Sequence, residues 1–398
     1  MSETTRKKKF WIFAGEASGD LYGARLANEL KHIAAERGEE ISIAAMGGPR
    51  MQETDVEIMV DSTELGVVGL IEVLKHIFVF IKLFISLVKR AEKERPDAVI
   101  LIDYPGFNIR FAKQMYKRGI PVIWYISPHI WSWGGHRLPK LAKWCDKMML
   151  IFPFEIDVYK GSGLDTVFVG HPLVDVVKER MDPKLVRDEN TVLLLPGSRF
   201  MEVDRLLEPM FETARMLHSR KSDLKFVLAA PRQKIYDRCR HLYDEANRDN
   251  PDYPLPNIEF VCGDTGKWLQ KATIGLAASG TITVEAAVSG LPLVVLYKLN
   301  TVTVFLARLA ITLFRGFFTM VNIIANRTVY EEFMQEEVCP EVIAAAAWKI
   351  LPGGDRHQEV LEGIDLVTRT ISGGSDGASA NAAKVCYDFV CERRKEQQ

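Results

Sequence analysis

The chain has 398 residues, 47% of them apolar and 26% charged, with a formal net charge of −1. This length predicts two domains, and the balanced charge excludes the global basic field that advertises nucleic-acid binding. Six scattered cysteines (Cys145, Cys239, Cys262, Cys339, Cys386 and Cys391) form no C-x-x-C and no zinc-spaced cluster, which predicts free thiols in a reducing cytosol and no metal.

The amino-terminal apolar run before Gly15 and Glu16 is too short for a signal-peptide core. Phe10–Ala14 predicts a buried strand, and the loop Gly-Glu-Ala-Ser-Gly-Asp leads into a helical pattern from Leu21 to about Arg37. This loop is not G-x-G-x-x-G, so it does not support dinucleotide binding. Its Glu16 and Asp20, with Gly15 and Ser18, suit sugar hydroxyls better than phosphates. Ile41–Met46 predicts the next strand.

The stretch HIFVFIKLFISLVKR, His76–Arg90, is apolar over far more than the arc of about 100° that a core-packed helix needs. Its charges, Lys82, Lys89 and Arg90, are all positive and share one narrow stripe with Ser86. It is too short to span a bilayer. A second greasy segment, Thr301–Met320, carries Arg308 and Arg315, which are costly at mid-membrane depth. Both segments fit helices lying on a membrane surface. That reading makes Phe80, Lys82, Phe84, Leu87, Lys89, Arg308 and Arg315 membrane-facing. Two deeply buried core helices would give the same pattern.

Ala98–Ile102 predicts a buried strand closed by Asp103 and a Pro-Gly turn, where a carboxylate can act as a base or simply cap the turn. Pro121–Ile126 predicts another, leading to WYISPHIWSWGGHR. The tryptophans of that loop favour sugar faces or a membrane interface, and Ser127, His129 and Trp131 join the expected sugar-binding set.

After the turn Gly170-His171-Pro172 the pattern starts afresh. Thr191–Leu195 predicts a strand ending in Pro196-Gly197-Ser198-Arg199, followed by a helix to about Ser219. Lys225–Ala229, Ile258–Val261, Ile274–Ala277 and Leu293–Leu296 predict further strands. Ser279-Gly280-Thr281 opens a helix whose first amides suit an anion, and Glu285 one turn on suits the vicinal hydroxyls of a ribose. Arg199 beside Gly197 and Ser198 can grip phosphate oxygens. Strand–helix alternation in both halves predicts an α/β fold of two Rossmann-like domains facing a central cleft, with ligands at the carboxyl ends of the strands. The expected domains are 1–171 (sugar-binding and membrane side), 172–370 (nucleotide side) and 371–398, a tail whose helix Asn381–Lys395 packs back on the first domain or is exchanged between protomers of a homodimer.

Nine stretches in register carry a resemblance: AGEASGD from Ala14, GLIEV from Gly69, IDYPGFN from Ile102, SPHIWSW from Ser127, FPFE from Phe152, GHP from Gly170, LPGSR from Leu195, ASGT from Ala278 and QEEVCP from Gln335. Together they resemble the lipid-A-disaccharide synthase family of bacterial outer-membrane biogenesis. The resemblance implies a GT-B fold and an inverting, metal-independent transfer needing no cofactor. The reaction it implies moves 2,3-diacylglucosamine from its UDP conjugate to 2,3-diacylglucosamine 1-phosphate, at the cytoplasmic face of the inner membrane. It also implies Asp103 as base, with Arg199 and Asn322 as further catalytic residues. The chain departs from the family pattern at Gly106, where many members have Asp, and at Gly134 and Gly135, where basic residues are common and His136 and Arg137 follow instead. It departs again at Val68 and Val321. A UDP-N-acetylglucosamine 2-epimerase, a peptidoglycan-type transferase and a non-catalytic nucleotide binder at the membrane surface are the alternative readings. An epimerase has no use for the greasy segments.

Overall fold

The computed structural model describes residues 7–62, 70–298 and 316–396, with the backbone alone for 70–79, 132 and 133. Arg308 and Arg315 lie outside the described residues. The chain divides into two compact units, Met1–Pro172 with Ile371–Gln398, and Leu173–Thr370.

The first unit holds seven strands: β1 (Lys8–Ala14), β2 (Ile41–Gly47), β3 (Glu57–Asp61), β4 (Ala98–Ile102), β5 (Val122–Tyr125), β6 (Lys147–Leu150) and β7 (Asp165–Phe168). They form one parallel sheet in the order β3-β2-β1-β4-β5-β6-β7. A parallel sheet is covered on both faces, so its central strands are apolar throughout. Accordingly, every residue of β4 is buried, and Phe10 and Trp11 of β1 pair with Ala98 and Val99. Successive crossovers run one way from β1 and the other way from β4, so a crevice opens where Ala14 and Ile102 end.

The second unit repeats the plan with β8 (Thr191–Leu195), β9 (Lys225–Ala230), β10 (Ile258–Cys262), β11 (Ile274–Ala278), β12 (Leu293–Tyr297) and β13 (Glu331–Met334). Their order is β10-β9-β8-β11-β12-β13, and the reversal falls between β8 and β11.

The terminal helix Ala378–Glu396 belongs to the first unit, where it packs along helix Ala17–Glu36. Tyr387 stacks on Phe10, and its hydroxyl donates to Glu39, which also pairs with Lys8. Arg37 meets Asp388 at 2.9 Å, and Arg394 meets Asp97 at 2.7 Å.

Helix Leu70–Glu94 corrects part of the surface expectation. Leu87 is 3% exposed and sits with Val88 and Ala91 in the core. Phe84 packs edge-on against Phe107 and Phe111, and Phe80 is half-buried. The helical period is the reason: positions 80, 84, 87, 88 and 91 share the inward face. The outward face carries Lys82, Ser86 and Lys89, together with Ile81 at 48% and Ile85 at 47% exposure. Arg90 turns inward enough to pair with Glu57 and Glu94 and lie over the Trp11 ring. Among the described residues, no helix is long and apolar enough to cross a membrane.

Candidate active site

At the first switch point β1 runs into Gly15 and Glu16, and β4 into Asp103 and Tyr104. A Cβ on Gly15 would lie 2.3 Å from the Tyr104 ring, so only glycine lets the two turns close on each other. Asp103 and Tyr104 both adopt left-handed backbone, with φ of 44° and 46°. Each such non-glycine residue costs on the order of 1–3 kcal/mol, and such strain is stored where surrounding bonds over-determine it. Here the bonds are visible. The Asp103 amide donates to the Tyr125 carbonyl at 3.0 Å, and Asn108 Nδ2 donates to the carbonyls of Asp103 (2.8 Å) and Ile102 (3.2 Å). The Phe107 and Asn108 amides both donate to the Tyr104 carbonyl as helix Pro105–Tyr116 begins. Burial, and then the negative charge of Glu16, push the Asp103 carboxyl up to about 6, against the opposing Tyr104 amide. A carboxylate of that pKa is suited to taking a proton near neutral pH.

Glu16 and Ser18 are exposed beside this elbow. Asp20 is not available there, which corrects its expected sugar-binding role. It is 4% exposed, and its carboxylate accepts from the amides of Gly48 (2.6 Å), Arg50 (2.9 Å) and Met51 (3.1 Å). It fixes the turn after β2 rather than a ligand. Ser127 is corrected in the same way: it is buried, hydrogen-bonded to the Tyr159 hydroxyl at 2.7 Å and close to Glu155. Glu155, which burial raises to about 7, accepts the Phe152 amide and braces this loop from beneath. The loop itself keeps His129 exposed and sets Trp131 edge-on between His129 (5.3 Å) and Phe154 (5.4 Å). It contains a left-handed Ile126 and a π-helical turn, Ile130–Gly134, two irregularities that gather at functional sites.

At the second switch point, the turns after β8 and β11 line one cavity of about 370 Å3. Gly197, Ser198, Arg199, Ser279, Gly280, Thr281 and Glu285, all expected at a nucleotide site, border it together. Gly197 has φ 112°, and a Cβ there would strike the Glu202 carboxylate. Glu202 accepts from the Ser198 and Arg199 amides at 3.0 and 3.3 Å and from Arg199 Nη1 at 2.8 Å. The Ser198 and Arg199 amides are therefore already used, so an anion here depends chiefly on the exposed Arg199 guanidinium and on the helix that begins at Thr281. Glu285 is half-buried, its carboxyl raised by burial while Arg180 opposes the shift. Glu285→Ala is expected to weaken UDP while leaving pyrophosphate affinity unchanged in calorimetry. Equal losses would mean that Glu285 supports the loop instead.

Asn322 is a further correction. Its side chain is fully buried and saturated, donating to Tyr330 O and Glu332 and accepting from the Val329 and Tyr330 amides. It pins the chain before β13 and has no atom left for a substrate.

A family model described as Lipid-A-disaccharide synthetase matches residues 10–384. The chain is 37% identical to the lipid-A-disaccharide synthase of Trichlorobacter lovleyi, over 97% of this chain and 98% of that one. It is 36% identical to that of Syntrophus aciditrophicus, over 95% and 97%. Among solved structures, UDP-GlcNAc 2-epimerase from Neisseria meningitidis superposes with TM-score 0.58 at 13% identity, over 97% of this chain and 100% of that one. The calicheamicin glycosyltransferase CalG4 does so with TM-score 0.57 at 16% identity, over 98% and 99%. At such identities these structures speak for the GT-B fold alone. The sequence relatives decide between the transferase and epimerase readings of that fold, and the chain belongs to the lipid-A-disaccharide synthase family of glycosyltransferases.

Proposed function

We propose that this enzyme joins two acylated glucosamines at a membrane surface. The donor is UDP-2,3-diacylglucosamine, and the acceptor is 2,3-diacylglucosamine 1-phosphate. Asp103 takes the proton of the acceptor 6-hydroxyl as that oxygen bonds to the donor's anomeric carbon. The bond from that carbon to the UDP oxygen breaks on the opposite face through an oxocarbenium-like transition state, giving a β-1,6 disaccharide 1-phosphate. Negative charge gathers on the departing diphosphate, where Arg199 and the helix start at Thr281 meet it. The observation that carries the reading is the Asp103 elbow: a half-buried carboxylate with a carboxyl pKa of about 6, held in strained backbone at a sheet's switch point.

Ile81 and Ile85 on the outward face of their helix, flanked by Lys82 and Lys89, supply the membrane contact in this reading. Anionic lipid contributes about 1 kcal/mol per nearby lysine, which suits reversible docking on the cytoplasmic leaflet. The test is incubation with UDP-2,3-diacylglucosamine, with and without the lipid acceptor. UDP release that requires acceptor and yields the disaccharide supports the proposal. Conversion of the donor without acceptor is the epimerase outcome and would sink it.

A further inference from the structure

Beside the Asp103 elbow lies a second hollow, of about 320 Å3, that neither the base nor the diphosphate cavity uses. Pro105 and Gly106, at the start of helix Pro105–Tyr116, form one side. Arg110 and Lys113 rise from the same helix, while His136, Arg137 and Lys140 approach from the segment after the Trp131 loop. No Asp or Glu lines the hollow. Among the described residues, no carboxylate pairs with Arg110, Lys113, Arg137 or Lys140. Other cations of this unit do have carboxylate partners: Arg37 has Asp388, Arg90 has Glu94, and Arg118 has Glu92. Here Lys113 instead lies over the Trp144 ring at 5.4 Å, and Arg110 donates to the Gly106 carbonyl. Four cationic side chains converge without a counter-charge, an arrangement that an anion relieves. Open space faces Gly106, so the positive end of the helix is accessible from the hollow.

We infer that this basic hollow binds the phosphomonoester of the acceptor sugar. The inference rests on the reaction proposed above. The helix that floors the hollow begins two residues after Asp103, which places the hollow next to the base. The acceptor's phosphate is on C1, across the ring from the 6-hydroxyl that must reach Asp103. Glu16 and Asp103 repel a phosphate dianion, whereas the hollow attracts it. The two fields therefore turn the ring one way, with the 6-hydroxyl to the carboxylates and the phosphate to the cations. The reversed pose sets the dianion against two carboxylates.

A phosphate ester could also come from a phospholipid headgroup, so the test compares both sources. Turnover is measured in neutral detergent micelles with 2,3-diacylglucosamine 1-phosphate and with its phosphate-free 1-O-methyl analogue. The wild type is expected to favour the phosphorylated acceptor by about 10- to 100-fold in kcat/KM, the worth of one or two charge-assisted hydrogen bonds. The double variant Lys113→Ala, Arg137→Ala should lose most of that preference through acceptor KM. Its donor KM and its rate on the analogue should be unchanged, and Lys140→Glu should act in the same direction. Unchanged discrimination in both variants, with an active wild type, overturns the assignment of the hollow alone. A loss seen only on anionic vesicles, with micelle values intact, makes it a headgroup site and also overturns it. A wild type that forms no disaccharide from either acceptor removes the reaction and this assignment together.

Discussion

Asp103→Asn is expected to cut turnover by roughly 10²- to 10⁴-fold, the usual worth of a positioned general base. Asparagine keeps the size of the side chain and tolerates left-handed backbone. The elbow, with its bonds to Tyr125 and Asn108, should therefore persist. UDP affinity by calorimetry should match the wild type, because the cavity proposed for the diphosphate lies wholly in the other unit. Melting temperature should not fall, since the substitution removes a half-buried ionisable group whose charge burial disfavours. Turnover within a few-fold of wild type would take Asp103 out of the mechanism. A large fall in melting temperature would make it a structural cap instead.

The second large effect separates the two faces of helix Leu70–Glu94. Leu87→Ala is expected to cost about 2–5 kcal/mol, as truncation of a fully buried leucine does. In a unit of this size that lowers melting by roughly 4–20 °C. Ile81→Ser with Ile85→Ser should leave melting unchanged, because both side chains are nearly half exposed. The pair should instead reduce sedimentation with anionic vesicles and slow turnover of long-chain substrate. If the isoleucine pair loses stability and keeps vesicle binding, this face is covered by protein and not by lipid.

The sheets were legible in the sequence because parallel strands buried on both faces read as continuous apolar runs, as FWIFA, AVILI and TVLLL do. Strands β3, β7 and β13 were not, because edge strands are short and mixed in polarity; β13 is Glu-Glu-Phe-Met. Strand β6, only four residues long, was also missed. That Gly197, Ser198, Arg199, Ser279, Gly280, Thr281 and Glu285 border one cavity was legible because two strand-to-helix turns meet wherever crossovers reverse. Asp20, Ser127 and Asn322 misled for one shared reason. A polar residue can face the crevice or turn back onto the protein's own polar groups, as Asp20 does onto backbone amides, Ser127 onto the Tyr159 hydroxyl and Asn322 onto Tyr330 and Glu332, and sequence carries no sign of which. Leu87 misled because the broad apolar arc concealed the inward stripe at positions 80, 84, 87, 88 and 91. Glu155 was visible as the acid closing Phe-Pro-Phe-Glu, but its partner Ser127 comes from a distant position along the chain.

If Asp103 is a base tuned by burial and by Glu16, the pH profile of kcat/KM reads that tuning directly. A base must be deprotonated to act, so activity should rise with pH through an acid limb at an apparent pKa of about 6, the raised value of Asp103. Glu16→Gln removes one of the two causes of that rise. Its limb should therefore move to lower pH, so that at pH 5 the variant keeps a larger fraction of its own maximum than the wild type does. An acid limb near the ordinary carboxylate range of about 4, or a limb that Glu16→Gln leaves in place, would contradict the account.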